Sequence, residues 1–484
     1  YLFVPMAEAV IFAMLASYVL SRTLVPTLVM MLMTGHTQDA KKPSAFSRIY
    51  EGFNRQFEHM RGNYAAILGG LLERRRVFAL SFLAFCVASC ALYLVLGRDF
   101  FPDVDAGQIR LHMRAPSGLR IEETARLADE VESAIREIIP KNELSTILDN
   151  LGVPNSGINL SYSNAGTIGT LDGEILIALH EGERKPSATY ISRLREELPR
   201  AFPGVGFAFL PADITSQILN FGAPAPIDVQ ITGKNAAENA VFARKILARM
   251  SRIPGVADAR IQQSSRYPEL RVDVDRSRIG QFGLTERDVT NSIATSLAGT
   301  QQTAPVFFLN PDNGVSYPVV AQTPEYRVGS ISDLSNLPVT GANGNSTQIL
   351  GGIATLVRSN QPAVVSHYNI APALDIYATP NGRDLGAVSG DIKRVLEELK
   401  AETPKGTTVT LRGQYATMRT SFSGLFFGLL GAIVLIYLLI VVNFQSWLDP
   451  FVIITALPGA IAGIIWMLFA TGTTLSVPVA NSIQ

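Results

Sequence analysis

Cysteine is nearly absent: Cys86 and Cys90 are the only two among 484 residues, and both lie inside an apolar run. Four apart, they share one helix face and read as packing residues, so no disulfide framework and no compartment follow from them. Histidine is scarce as well. His36, His59, His112, His180 and His367 show no metal-ligand spacing, and no nucleophile elbow or phosphate-cradling glycine pattern occurs, which leaves hydrolase and nucleotide-driven readings without residues. We therefore place no catalytic residue and no metal site. Net charge is lacking too, with 41 Lys and Arg against 41 Asp and Glu; a nucleic-acid partner would need a basic surface. Sulfur is missing where a soft metal ion would require it, since between 114 and 417 Met250 is the only sulfur residue.

What the chain has is long apolar sequence. Uncharged runs of about 21 residues at 77–97, 422–442 and 450–471 bracket roughly 320 residues of polar sequence. At about 1.5 Å per residue each reaches about 30 Å as a helix, the thickness of a bilayer's hydrocarbon core. Segment 1–33 reads as a further span despite Glu8 and Arg22, which lie near its outer end and in its inner third, where Arg22 can snorkel. The chain opens at Tyr1 inside this apolar stretch, with neither Met nor signal peptide, and reads as a piece of something longer. Lys41, Lys42, Arg48, Arg55, Arg61, Arg74, Arg75 and Arg76 place 36–76 in the cytoplasm, and hence the polar block from about 99 to 417 outside it. Within the basic stretch Phe46, Ile49, Phe53, Phe57, Met60, Tyr64, Ile67 and Leu71 recur at three- and four-residue steps. That stripe predicts a helix lying in the membrane surface, with a coiled-coil seam as the alternative.

The polar block is periodic. Strand, helix and strand patterns follow at 108–115, 121–139 and 145–152, and again at 174–180, 188–202 and 205–211. Two such trios can close into one split βαβ sandwich. A third trio at 227–232, 236–253 and 256–262 meets its partner only at 373–378, 384–402 and 407–412, so 267–368 is an insertion. Turn signals at 310–314 and 341–344 predict a projecting hairpin and ordered loops within it.

Five segments, in order between the spans, carry a family resemblance: 17–28 (SYVLSRTLVPTL), 100–107 (FFPDVDAG), 220–227 (NFGAPAPI), 272–276 (VDVDR) with 283–285 (GLT), and 444–447 (FQSW). The chain resembles the permease subunit of resistance-nodulation-division (RND) efflux pumps of the hydrophobe and amphiphile (multidrug) class, as a C-terminal-half fragment. The resemblance implies α-helical transmembrane segments plus an α+β periplasmic domain of duplicated ferredoxin-like βαβ sandwiches with an inserted docking domain. In those terms 1–34 is the sixth transmembrane helix, 35–75 a cytoplasmic loop, 76–98 the seventh helix and 99–225 a porter subdomain. Residues 226–265 and 370–417 form a second porter subdomain around the docking insertion 266–369; 419–443 and 449–472 are the eighth and ninth helices, and 473–484 is a remnant of the tenth. It further implies a multi-pass bacterial inner-membrane homotrimer, a transporter rather than an enzyme, driven by the proton gradient with no cofactor. Its partners would be a periplasmic adaptor, an outer-membrane channel, the lipid bilayer and small amphiphilic substrates.

The departures are specific. The family's paired coupling aspartates would lie upstream of Tyr1, and if Asn481 matches the family's asparagine, Ala480 stands where many drug pumps carry lysine. No proton-relay residue is therefore assigned. Phe207 and Phe209 fall on one face of a strand that the resemblance places at a substrate pocket; core packing is the plain alternative. The Gly-, Ser- and Asn-rich stretch between Gly152 and Gly173, with Asn155, Gly157, Asn164 and Gly166, matches the family's switch loop. Drug-like export is the reading taken here. A zinc-like cation pump of the same superfamily and a truncated membrane-tethered assembly module are the alternatives.

Overall fold

The structure, a computed structural model, describes residues 4–33, 45–93, 95–101, 105–153, 167–182, 184–220, 223–263, 266–301, 303–341, 344 and 346–476. The chain divides into two compact units, 1–87 and 88–484. In the first, α1 (Val4–Met33) is apolar over its whole circumference, and Thr23 and Thr27 donate their hydroxyls to carbonyls one turn back, each at 2.7 Å. Helix α2 (Ala45–Glu73) carries the striped sequence, with Phe53 stacked on Phe57. α3 (Arg75–Tyr93) follows after a break at Arg74 and leads into the second unit.

The second unit opens with a four-stranded antiparallel sheet of β1 (Gln108–Arg114), β2 (Leu144–Leu151), β3 (Asp172–Leu179) and β4 (Gly206–Leu210), in the order β2-β3-β1-β4. Helices α4 (Ile121–Ile138) and α5 (Ser187–Ala201) lie on one face. Apolar residues recur at helical spacing as Ala128, Val131, Ile135 and Ile138 on α4 and Tyr190, Leu194 and Leu198 on α5. They close a core with Ile109, Leu111, Met113, Ile175 and Ile177 of the sheet. Asp105, in the 100–107 segment, accepts from the Ser187 backbone N–H at 2.9 Å and from Arg184 at 2.9 Å, anchoring the start of α5.

A short helix α6 (Ile214–Leu219) leads to the second sheet. It joins β5 (Ile227–Gly233), β6 (Val256–Ile261), β14 (Ala371–Pro380) and β15 (Thr407–Gly413) in the order β6-β14-β5-β15, the same order as the first sheet with the third and fourth strands supplied from beyond the insertion. Helix α7 (Ala236–Met250) packs its Phe242, Ala243, Ile246 and Met250 over Ile227, Val229 and Ile231. Between β6 and β14, β7 (Tyr267–Val274) pairs in an eight-residue antiparallel ladder with β12 (Ala354–Gln361). They enclose α8 (Arg276–Gln281), α9 (Glu286–Ala298), the hairpin β8 (Val306–Leu309) and β9 (Ser316–Val319), α10 (Ile331–Ser335), β10 (Pro338–Thr340), β11 (Thr347–Ile349) and α11 (Leu350–Ile353). This segment has its own core of Ile279, Leu284, Val289, Leu334, Val339 and Ile353. One expected boundary moves: β13 (Ser366–Tyr368) is the edge strand of the second sheet, paired with β14, and not part of the insertion. Its tight turn has Asn369 and Ile370 at positive φ, an arrangement no glycine announces.

Helix α12 (Leu385–Glu398) stops short of the expected 402 and is followed by a 3₁₀ turn at Lys400–Glu402. Strand β15 runs directly into α13 (Gln414–Phe444), whose 31 residues exceed the apolar run. The last span is two helices, α14 (Leu448–Ile454) and α15 (Leu457–Thr471), because Pro458 supplies no N–H across the junction. Together with α1, α3 and α13 they are long and apolar enough to cross a membrane. Just past α3 the Leu475 N–H donates to the Gly97 carbonyl at 2.8 Å, and Asp384 caps α12 while accepting from the Arg98 N–H at 3.0 Å. A Cβ on Gly97 would lie 2.9 Å from Thr474, so this crossing needs glycine. Ala480 and Asn481, expected in a remnant of the tenth helix, lie outside the described residues.

Candidate functional site

Strand alternation places one set of side chains in each core and the other set on the opposite sheet face. On β1 the second set is Arg110, His112 and Arg114; on β3 it is Asp172 and Glu174. On the second sheet it is Asp228 and Gln230 of β5, Asp375 and Tyr377 of β14, Arg260 of β6 and Arg412 of β15. These faces are not solvated surfaces. His112, Asp172, Glu174, Asp228, Gln230 and Asp375 are all buried. Arg114 shows why: besides its fork onto Asp172 at 2.8 and 3.1 Å, it donates to the carbonyls of Ile261 and Gln262 at 3.1 and 3.2 Å, tying β1 to the end of β6. Arg195 of α5 makes a second tie, to Asp258 at 2.6 Å.

The layer is electrostatically loaded. Arg110 meets Glu174 at 2.7 Å, yet burial still raises that carboxyl above the usual range. Burial pushes the His112 imidazole down to about 3, against the pull of Asp172 at 3.7 Å, so it is neutral. Burial pushes the Arg260 guanidinium down to about 10 and raises the Tyr377 phenol. Burial, with the Asp375 charge beside it, pushes Asp228 up to about 7. Asp375 itself accepts from Gln230 at 3.0 Å and Gln263 at 2.8 Å. Four buried atoms in the layer have no partner among the described residues: His112 Nε2, Glu174 Oε1, Asp228 Oδ1 and Arg260 Nε. An unsatisfied buried polar atom costs about 1–3 kcal/mol and calls for an explanation.

The residues expected from the sequence fall elsewhere. Phe209 is 4 % exposed and stands opposite Leu111, and Phe207 opposite Met113, both turned into the first core. Neither ring lines the inter-sheet layer; Phe207, half-buried, packs edge-on against Phe202. The pocket assignment is thus corrected: β4 is apolar on both faces, and its phenylalanines point to the helices. Gly152, at φ +81°, donates to Asp172 O at 3.0 Å at one root of the expected switch loop. At the other root Gly173 lets β2 approach, since a Cβ there would lie 2.5 Å from Leu151. Asn155, Gly157, Asn164 and Gly166 lie outside the described residues. Met113 and Met250 are sealed in the two cores, out of reach of any cargo. Among the described residues no three His, Cys, Asp or Glu side chains gather as a metal-holding group. The polar layer escaped sequence reading because alternating polar residues on a strand ordinarily face water; its signal was charge of both signs on central strands of two consecutive units.

A family model for AcrB/AcrD/AcrF matches residues 1–480. The chain belongs to the AcrB/AcrD/AcrF family. Members of this RND permease family are transporters, not enzymes. The cobalt-zinc-cadmium resistance protein CzcA of Cupriavidus metallidurans is 24% identical over 99% of this chain and 43% of that protein. Multidrug resistance protein MdtC of Cronobacter sakazakii is 26% identical over 92% of this chain and 40% of that protein. A solved heavy metal efflux pump, 24% identical, superposes with a TM-score of 0.74 over 88% of this chain and 43% of its own, a likeness of fold. The chain spans under half the length of the curated relatives it matches.

Proposed function

We propose that this chain is the C-terminal half of a proton-driven RND efflux permease that exports drugs or other amphiphilic compounds from the periplasm and inner membrane. Its two sheets are the duplicated ferredoxin-like porter subdomains, and 266–365 is the docking insertion. It sits in the bacterial inner membrane as part of a homotrimer, with an adaptor and an outer-membrane channel completing the path. The observation that carries this reading is the buried polar layer with its partnerless His112, Glu174 and Asp228 atoms. A surface that holds unsatisfied groups between two separately cored sandwiches is suited to polar anchors arriving on a transient cargo.

A second reading, export of zinc-like divalent metal ions, is favoured by the relatives that carry metal-resistance names and by the carboxylates of the layer. Soft cuprous or silver ions are not favoured, because the thioethers of Met113 and Met250 are sealed in the two cores. The test expresses the full-length permease with its adaptor in a pump-deleted bacterium and measures resistance to chemically different drugs and to zinc, cobalt and cadmium. Drug resistance abolished by collapsing the proton gradient is expected. Resistance to the metals alone would replace the first reading by the second.

A further inference from the structure

We infer that Asp228 is the anionic anchor for an organic cation in the inter-sheet layer. The inference rests on the reading that substrate travels along this layer, and it names the charge of the substrate. Asp228 occupies the second strand from the edge, opposite Tyr377 on β14 and Arg412 on β15. It is 9 % exposed, and its buried Oδ1 has no hydrogen-bond partner among the described residues. The expected partner is turned away. Arg412 donates instead to Gln230 Oε1 at 2.7 Å and to the Tyr368 hydroxyl at 2.8 Å, with its guanidinium 4.0 Å from the centre of the Tyr368 ring. Arg260, next along the row, lies over Tyr377 and not on Asp228.

The other carboxylates of the layer show that this is a choice. Asp172, Glu174 and Asp375 each hold guanidinium or amide donors. A carboxylate kept in reach of a cation but deprived of one loses hydration without regaining a partner, unless a donor arrives from outside. With no group of three His, Cys, Asp or Glu gathered around it among the described residues, this carboxylate suits a diffuse organic cation better than a divalent metal. On the open side Thr410 of β15 is exposed and stands opposite Gln230, which gives a cargo a route to the row.

The charged and titratable groups facing Asp228 are Tyr377 and Asp375 from β14, Arg412 from β15, Arg260 beyond Tyr377 from β6, and Tyr368 from β13. Asp228 is ionised above about 7 and neutral below it. The test measures ethidium binding by fluorescence to the purified full-length protein. Between pH 6 and pH 8 the ionised fraction of a group at about 7 rises about tenfold, and wild-type affinity should rise by about that factor. Asp228→Asn should bind at least tenfold more weakly at pH 8, show no pH dependence, and have a melting temperature at or above that of the wild type. Wild-type binding that is absent or flat with pH overturns the anchor without recourse to the variant. Unchanged ethidium affinity in a folded Asp228→Asn protein overturns it as well. Drug export by the wild type alongside such a result would leave the transport reading standing and remove only the anchor.

Discussion

The two sandwiches share a strand order but satisfy their polar faces differently. In the first sheet each buried acid has a basic partner: Arg110 forks onto Glu174, and Arg114 onto Asp172. In the second sheet the arginines are engaged with tyrosines and a glutamine, and Asp228 is left alone. Buried charges that are paired fix geometry, whereas one left unpaired is a standing cost that a fold retains for another reason. The first sheet therefore reads as the clamp of the layer and the second as its receptive side.

The widest gap between the two sides should appear on removing a charge. Arg114→Ala strands Asp172, 0 % exposed, and also cuts the ties to Ile261 and Gln262; a loss of about 3–5 kcal/mol is expected, read as a lower melting temperature and abundance of the full-length protein. Asp228→Asn should lower neither. Equal losses would erase the distinction. Next in size, Phe209→Ala should cost about 3–5 kcal/mol by opening a cavity in the first core, with resistance to every substrate falling together with protein level. Phe207→Ala should cost less, because its ring is only half-buried. A selective change in drug profile at constant abundance would return these rings to a pocket.

The two sides should also tilt stability oppositely with pH. His112, held at about 3 against an ordinary 6.5, contributes stability that is complete above pH 6.5 and declines as pH falls towards 3. Asp228, at about 7 against 3.8, contributes fully below pH 3.8 and loses it as pH rises through 7. Melting temperature against pH should flatten on the acid side in His112→Gln and on the neutral side in Asp228→Asn; flattening in the other sense would reverse the assignment. The smallest effect is local. Ile370 is β-branched at φ +72°, a conformation costing about 1–2 kcal/mol, so Ile370→Gly should raise the melting temperature slightly. A fall would show that the side chain is held by contacts worth more than the strain.

Much of this architecture was legible because apolar spacing obeys simple periods. The spans followed from uncharged runs, and the strand-helix-strand trios followed from alternation giving way to helical steps, as at 108–114 and 121–138. The site was less legible. Arg110, His112 and Arg114 alternate with Ile109, Leu111 and Met113, a pattern that equally describes a strand with one wet face. Only the fold brings a second sheet over it. Phe207 and Phe209 misled because their strand has no polar face to orient it, and β13 went unread because its turn is Asn-Ile rather than Asn-Gly.

The claim that cargo passes along the polar layer has a direct test in thiol protection. In a full-length permease with Cys86 and Cys90 replaced by Ala, a cysteine at Thr410, on the exposed end of the layer, is compared with one at Val241, exposed on the outer side of α7. An exported compound at saturating concentration should slow the reaction of an impermeant thiol reagent at 410 severalfold and leave the rate at 241 unchanged. Equal rates at 410 with and without the compound would contradict the account.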